Sequence, residues 1–247
     1  MDTDLPGLLA HMRTLLASFE EAQDARRHFL ATYLRTTVAV AAAIEAGHFE
    51  DPQWVERWDV DFAGLYLEAL EASRHDPAAV PRPWRLAFGA RADLPPEAHV
   101  LLGMNAHINY DLPRSLVRVI PPSGFAQPDV AALRRRDHER IDDVLTSRVP
   151  AEDAELERAG SRRTVVDRVL APVNREATRR LLREARRKVW HNARALDAAR
   201  GSGDGAYRER VRDLDALTSA RVAELLRPGP VLVRLAVAGF GVTLPPA

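Results

Sequence analysis

The chain has 247 residues, with 35 basic and 35 acidic side chains and no cysteine. This length is ample for one domain with a sizeable core, and a hydrophobic content of 46% excludes a disordered chain. Zero net charge argues against a nucleic-acid partner, because nucleic-acid-binding domains usually carry a basic excess. The absence of cysteine excludes disulfides, thiol nucleophiles and thiolate metal sites.

The N-terminal half of the chain predicts helices at nearly every position. Apolar residues recur at helical spacing in three long stretches, residues 5–22, 24–46 and 52–73. Prolines at 77, 81 and 83 predict a break, followed by a short helix over 84–90. Pro95 and Pro96 then open a strongly apolar helix over 96–112, and a further helical stretch reaches about residue 120.

The C-terminal half is also helical in pattern, but it is more highly charged. The sequence predicts helices over 129–149, 151–159, 161–171, 175–200 and 207–226. The last twenty residues, rich in valine and glycine, predict an extended arm or a terminal helix. Strands do not alternate with helices anywhere, and no hairpin signal is present. We therefore predict a single all-α domain over residues 1–247, a bundle of about eight to ten helices, with helix 1–22 and arm 228–247 at its periphery.

The most unusual stretch lies at the end of the apolar helix, in the sequence GMNAHINYDLP. Residues four apart share a helical face, so His107 and Asp111 point the same way, and Asn105 and Asn109 form a second pair. Burying these groups is expensive unless each finds a partner. We predict that His107 is a general acid or base oriented by Asp111, and that the two asparagines bind substrate oxygens. A buried network that only joins helices is the structural alternative.

A divalent-metal site is a further alternative for the same pair. His138 and Asp142 repeat the spacing, and two such pairs on two helices could supply four ligands. The second pair follows three arginines, so a solvated helix with ion pairs also explains it. The sequence requires no cofactor, and a metal on His107, Asp111, His138 and Asp142 remains an option.

Aromatic residues are dense in the third helix and just after it. This aromatic group suits a packed core, or the wall of a pocket for a flat apolar ligand, and it comprises Trp54, Trp58, Phe62, Tyr66, Trp84 and Phe88. We assign Trp54, Trp58, Tyr66 and Trp84 to the pocket wall. Asp59 and Asp61 are interleaved with them, and we assign Asp61 to the pocket. Tyr33 and Thr37, one turn apart, could add hydroxyl groups to it.

The stretch around His107 resembles a helical family of unknown function that is common in actinobacteria. The resemblance rests on the pattern Gly-x-Asn-Ala-His-Ile-x-x-Asp-Leu, which begins at Gly103 and ends at Leu112, on WRLAF at 84–88, and on the spacing of Phe29, Tyr33 and Thr37. It implies an all-α fold over most of the chain and no established activity. The His-x3-Asp element is also faintly similar to one in zinc-dependent phospholipases C, whose further ligands this sequence lacks.

Three functional hypotheses follow from these patterns. The first is an enzyme for a small, largely apolar molecule, which hydrolyses, cyclises or isomerises a metabolite, with secondary metabolism as one option. The second is a divalent-metal-dependent hydrolase that uses His107 and Asp111. The third is a non-catalytic binding protein. No stretch approaches the roughly 20 apolar residues of a membrane span, and the start is acidic where a signal peptide is basic. We expect a cytoplasmic protein, with a homodimer as one option.

Overall fold

A computed structural model describes residues 4–158, 165–228 and 239–246. Over these ranges the chain forms ten α-helices, one π-helical segment and no strand, which confirms the predicted all-α class. The helices are α1 (Leu5–Glu21), α2 (Arg27–Glu45), α3 (Pro52–His75), α4 (Arg82–Phe88), α5 (Pro96–Ala106), α6 (Leu112–Val119), α7 (Pro122–Ala126), α8 (Pro128–Arg158), α9 (Val165–Gly201) and α10 (Asp204–Leu225). The π-helical segment is His107–Asp111, between α5 and α6.

The starts of the helices follow from local sequence. The carboxyl group of Asp4 accepts from the backbone N–H of Gly7 at 2.9 Å, and that of Asp51 accepts from Trp54 at 3.0 Å. These N-terminal caps satisfy backbone donors that have no partner within the helix. The helices α4 and α5 begin just after Pro81 and Pro95.

Two helices are longer than predicted. We predicted breaks near the prolines at 150 and 172, but α8 and α9 each continue through one. Proline in a helix removes one backbone hydrogen bond and leaves those of the neighbouring turns, so a long helix can continue past it. The start predicted at residue 161 lies outside the described residues.

The π-helical segment lies at the centre of the bundle. It contacts α3, α5, α6, α9 and α10, and all five of its residues are buried. Around it, α6 packs on α3 and α9, while α5 packs on α2, α4 and α10. The residues predicted to carry chemistry are therefore at the core of the fold.

Both ends that we predicted to be peripheral contribute to the core where they are described. In α1, Leu8, Met12 and Phe19 are buried, and the helix packs on α2 and α3. Residues 239–246, here called the extended segment, bury Phe240 and Leu244. Removal of apolar side chains from water stabilises a fold. Both ends therefore contribute to the stability of the bundle. Residues 229–238 and 247 of the predicted arm lie outside the described residues.

In the described part of the chain, no helix combines the length and the apolar character that a membrane crossing requires.

Candidate functional site

The candidate site is built on the π-helical segment. The backbone N–H of Leu112 donates to the carbonyl of His107, five residues earlier, where an α-helix would use the fourth. The His107 and Asp111 side chains meet across this widened turn, with 2.9 Å between Nδ1 and Oδ2. The predicted contact between these residues is present, in π-helical geometry. Single π-helical turns within α-helices are frequent at functional sites.

Asp111 is held by a second donor. The indole Nε1–H of Trp84 donates to the same Oδ2 at 2.7 Å, and Arg114 lies 3.4 Å from Oδ1. An indole N–H can only donate, so Oδ2 is an acceptor in this contact, and we assign the proton of the shared hydrogen bond to His107 Nδ1. In this tautomer the Nε2 of His107 carries a lone pair. Nε2 is buried and has no hydrogen-bond partner.

Aromatic rings enclose the His107 imidazole, which is 3% exposed. Phe62 stacks on it with ring centroids 3.7 Å apart, and Tyr33 lies edge-on at 4.6 Å. The centroids of Phe29, Tyr66 and Trp84 lie within 6.0 Å of the same ring. Burial lowers the pKa of His107, and the hydrogen bond and charge of Asp111 oppose that shift. The imidazole is therefore neutral at pH 7 and able to accept a proton.

A partly open pocket of about 250 Å³ lies next to this enclosure. Phe29, Tyr66 and Trp84 line the pocket and also surround His107. His107 itself is not a lining residue, so a single layer of side chains separates the imidazole from the pocket. The remaining lining residues are Gln23, Asp24, Ala25, Arg26, Ala87, Phe88, Ala90, Ala92, His99 and Gly103. The pocket lining combines aromatic rings with polar groups that include the Asp24–Arg26 ion pair.

Gly103 allows this arrangement of rings. A Cβ atom at position 103 would lie 2.4 Å from Cγ of Phe29, far inside van der Waals contact. Glycine therefore lets Phe29 pack directly against α5, between the pocket and His107.

The two asparagines have partners within the chain. The Nδ2 groups of Asn105 and Asn109 donate to the backbone carbonyl of Phe240, at 3.1 and 3.0 Å. The Oδ1 of Asn109 accepts from the backbone N–H of Val242 at 3.2 Å. We predicted that these amides bind substrate oxygens, but the structure uses them to hold the extended segment. Sequence spacing could not show this because the segment is more than 130 positions away.

A buried carboxyl group that was not among the predicted site residues lies near Tyr33. Asp59 is 9% exposed, and its Oδ2 has no hydrogen-bond partner. Burial raises the pKa of Asp59 to about 7. Burial, together with the charges of Asp59 and Asp111, also raises the pKa of the Tyr33 phenol. The one sequence signal for Asp59 was its position among the aromatic residues of α3.

The other predicted pocket residues have different environments. Thr37 is fully buried and donates to the backbone carbonyl of Tyr33 at 3.1 Å. Asp61 forms an ion pair with Arg118 at 3.0 Å.

Trp54 and Trp58 stack on each other and do not line the pocket. Of the predicted wall residues, Tyr66 and Trp84 do line it. Phe62, a member of the predicted aromatic group, contacts His107 but does not line the pocket. Phe29 lines it and was not assigned to the wall, although its spacing of four from Tyr33 could have indicated it.

The second predicted pair, His138 and Asp142, is split between different partners. The His138 ring lies between Trp58 and Trp190, at 5.5 and 5.7 Å. Asp142 forms a salt bridge with the buried Arg186, whose guanidinium also donates to the His138 carbonyl. Among the described residues, no three acidic or histidine side chains gather closely enough to hold a metal ion. The four predicted ligands are therefore not brought together.

Comparison with curated proteins and with solved structures gave no match. A family of unknown function, DUF5995, has a model that matches residues 5–228. That range includes α1 to α10 and the whole His107 enclosure. The chain is thus a member of the DUF5995 family.

Proposed function

We propose that the protein is an enzyme that binds a small, largely apolar molecule and uses His107 as a general base or acid, with Asp111 as its orienting partner. The observation that carries this proposal is the difference in hydrogen bonding between the two imidazole nitrogens. Its Nδ1 is fixed by Asp111, while its Nε2 is buried without a partner. A buried polar atom without a partner is costly, so a ligand group at Nε2 would recover that cost.

The pocket supports a substrate with a flat apolar body. Phe29, Tyr66 and Trp84 line it, and its volume of about 250 Å³ suits a small molecule. The rings between the pocket and Nε2 must move for chemistry to occur. Hydrolysis, cyclisation or isomerisation all fit a neutral imidazole that takes and returns one proton. We further propose that the protein works in the cytoplasm, that its substrate belongs to secondary metabolism, and that the Gly-x-Asn-Ala-His-Ile-x-x-Asp-Leu pattern marks the family, including actinobacterial members.

A chemical probe tests access to Nε2 without knowledge of the substrate. Diethyl pyrocarbonate acylates unprotonated imidazole, and mass spectrometry locates the product. We expect His107 to react and indole, used as a flat apolar probe, to protect it. His138 is the matched control, because it is also buried with both ring nitrogens unpartnered, but the rings beside it, Trp58 and Trp190, do not line the pocket. If His107 is as inert as His138, the proposal is wrong.

Turnover is tested with 4-nitrophenyl acetate as a general-base substrate. We expect the His107→Ala variant to lose the activity above background and His75→Ala to retain it, since His75 is a surface imidazole with 73% of its side chain exposed. Equal losses in the two variants would indicate unspecific surface catalysis and contradict the hydrolytic form of the proposal.

A non-catalytic role is the second candidate, and one observation favours it. Asn105 and Asn109 already serve to join the π-helical segment to the extended segment. If the whole polar network serves this purpose, His107→Ala lowers the free energy of unfolding and leaves indole binding unchanged. The enzyme proposal expects the variant to fold and its affinity for indole to change.

A further inference from the structure

The extended segment is bound in the way that proteins bind extended peptides. Phe240, Val242 and Leu244 are buried and Thr243 is exposed, as expected when alternate residues of an extended chain face one surface, and Gly241 is buried as well, against α9. The surface beneath them belongs to the π-helical segment, the end of α5 and α9. We call this surface the groove.

Two asparagines of the groove bind the backbone of the segment in the same manner. Asn109 donates to the carbonyl of residue 240 and accepts from the N–H of residue 242. Asn192 repeats this two residues later, with 3.0 Å to the carbonyl of 242 and 2.8 Å to the N–H of 244. Each side-chain amide thus makes the pair of backbone hydrogen bonds that a neighbouring β-strand would make. The two asparagines bind positions that are two residues apart, which matches the two-residue repeat of an extended chain.

Further side chains bind three more carbonyl groups of the segment. Lys188 donates to Gly241 at 3.2 Å, the His191 ring lies 3.3 Å from the carbonyl of Leu244, and Arg210 donates to Pro245. All of these partners lie on α9 or α10. Because these side chains contact main-chain atoms, they recognise an extended backbone whatever its side chains are.

Specificity comes from one close approach. A Cβ atom at position 241 would lie 2.8 Å from Cα of Ala185 and 2.9 Å from Cδ of Lys188. Only glycine fits between the apolar residues 240 and 242. The groove therefore selects a segment of the form apolar-Gly-apolar-x-apolar.

We propose that the groove is a peptide-binding site that also accepts this segment in trans, from a second copy of the chain. Residues 240–245 make all of the hydrogen bonds described above between the segment and the rest of the chain. A short piece of chain therefore contains every backbone group that is recognised. Exchange of an identical element between copies needs no new contact, which makes it a low-cost route to a dimer. This inference is independent of the chemistry at His107.

Two complementary full-length variants test the exchange. Asn192→Leu impairs the groove and leaves the segment intact, whereas the double variant Val242→Asp/Leu244→Asp impairs the segment and leaves the groove empty. We expect each variant alone to be monomeric and an equimolar mixture to form a mixed dimer, measured by light scattering after size exclusion. A mixture of two preparations of the segment variant is the control. A mixture of the complementary variants that stays monomeric, with both proteins folded by circular dichroism, would overturn the proposal.

A peptide experiment on the unmodified chain covers the case in which a variant does not fold. The peptide spans residues 239–246 and carries a photoreactive benzoylphenylalanine in place of the exposed Thr243. We expect light-induced cross-linking to α9 or α10, with half-saturation at a peptide concentration about tenfold or more higher when the peptide carries Gly241→Val. Equal cross-linking of both peptides, or none at millimolar peptide, would contradict a peptide-binding groove.

Discussion

Phe62 and His107 lie face to face, with ring centroids 3.7 Å apart and planes inclined by 6°. The phenyl ring excludes water from one face of the imidazole and offers no hydrogen bond. It therefore contributes to the burial that lowers the pKa of His107. Asp111 fixes the ring's orientation from its edge and opposes the lowering of the pKa, so Phe62 and Asp111 act on the pKa of His107 in opposite directions.

We expect the Phe62→Ala variant to have a higher pKa at His107. Loss of the phenyl ring admits water, which favours the charged imidazolium and moves the pKa toward the usual value of about 6.5. The measurement is an NMR titration of the imidazole ring protons. Phe125→Ala is the control, because Phe125 packs on Trp190 and is not among the rings around His107. An unchanged or lower pKa of His107 in the Phe62→Ala variant would show that Phe62 does not control the solvation of the imidazole.

Trp84→Phe should destabilise the protein more than Trp58→Phe. Both tryptophans are almost fully buried, but only Trp84 Nε1 has a hydrogen-bond partner. Both variants lose a similar volume, while Trp84→Phe also removes a donor from buried Asp111, at a cost of about 1–3 kcal/mol. The free energies of unfolding in urea give the difference. Equal values would mean that the bond from Trp84 to Asp111 contributes nothing to stability.

Gly103→Ala and Gly64→Ala should have opposite effects. At Gly103 the added methyl group meets Phe29 at 2.4 Å, whereas at Gly64 it has no neighbour within 4 Å. We expect the first to lower the melting temperature and displace Phe29, and the second to stabilise α3 by about 0.5–1 kcal/mol. Scanning calorimetry tests both. A neutral Gly103→Ala would show that Phe29 can move away easily.

Asp59→Asn should become relatively more stable as the pH rises. The folded-state pKa of Asp59 is raised to about 7, so the folded chain binds a proton that the unfolded chain releases near pH 4. The stability that this proton contributes is complete below pH 4 and is lost as the pH rises through 7. Asparagine has no such loss, so the difference in unfolding free energy between variant and parent should grow between pH 5 and pH 8, by a few kcal/mol at most. A difference independent of pH would mean that Asp59 is ionised in the folded protein.

The helical class and the contact between His107 and Asp111 could be predicted because both depend on local spacing. Helical periodicity indicates a helix whatever the tertiary partner, and residues four apart in a helix are neighbours. The π-helical turn could not be predicted in this way, since its sequence continues the pattern of α5. Its geometry is associated with contacts on both sides, from Trp84 to Asp111 and from Asn109 to residues 240 and 242.

The environments that the sequence could not indicate are those that long-range contacts decide. Asn105 and Asn109 have the polar groups that bind a substrate, but their partner lies at position 240. Trp54 and Trp58 have the spacing of a pocket wall, but they stack beside His138 on α8. Sequence spacing identifies the face of a helix and leaves open which neighbour covers it.

Lys188 is the only lysine of the chain and donates to the carbonyl of Gly241. Apart from any N-terminal amine, it is the sole primary amine that an acylating reagent can modify. Neutralising its charge would remove this donor and its ion pair with Glu184 in one step. Lysine acetylation, a common covalent signal in cells, thus has a single internal target in this protein, and that target touches the backbone of the extended segment.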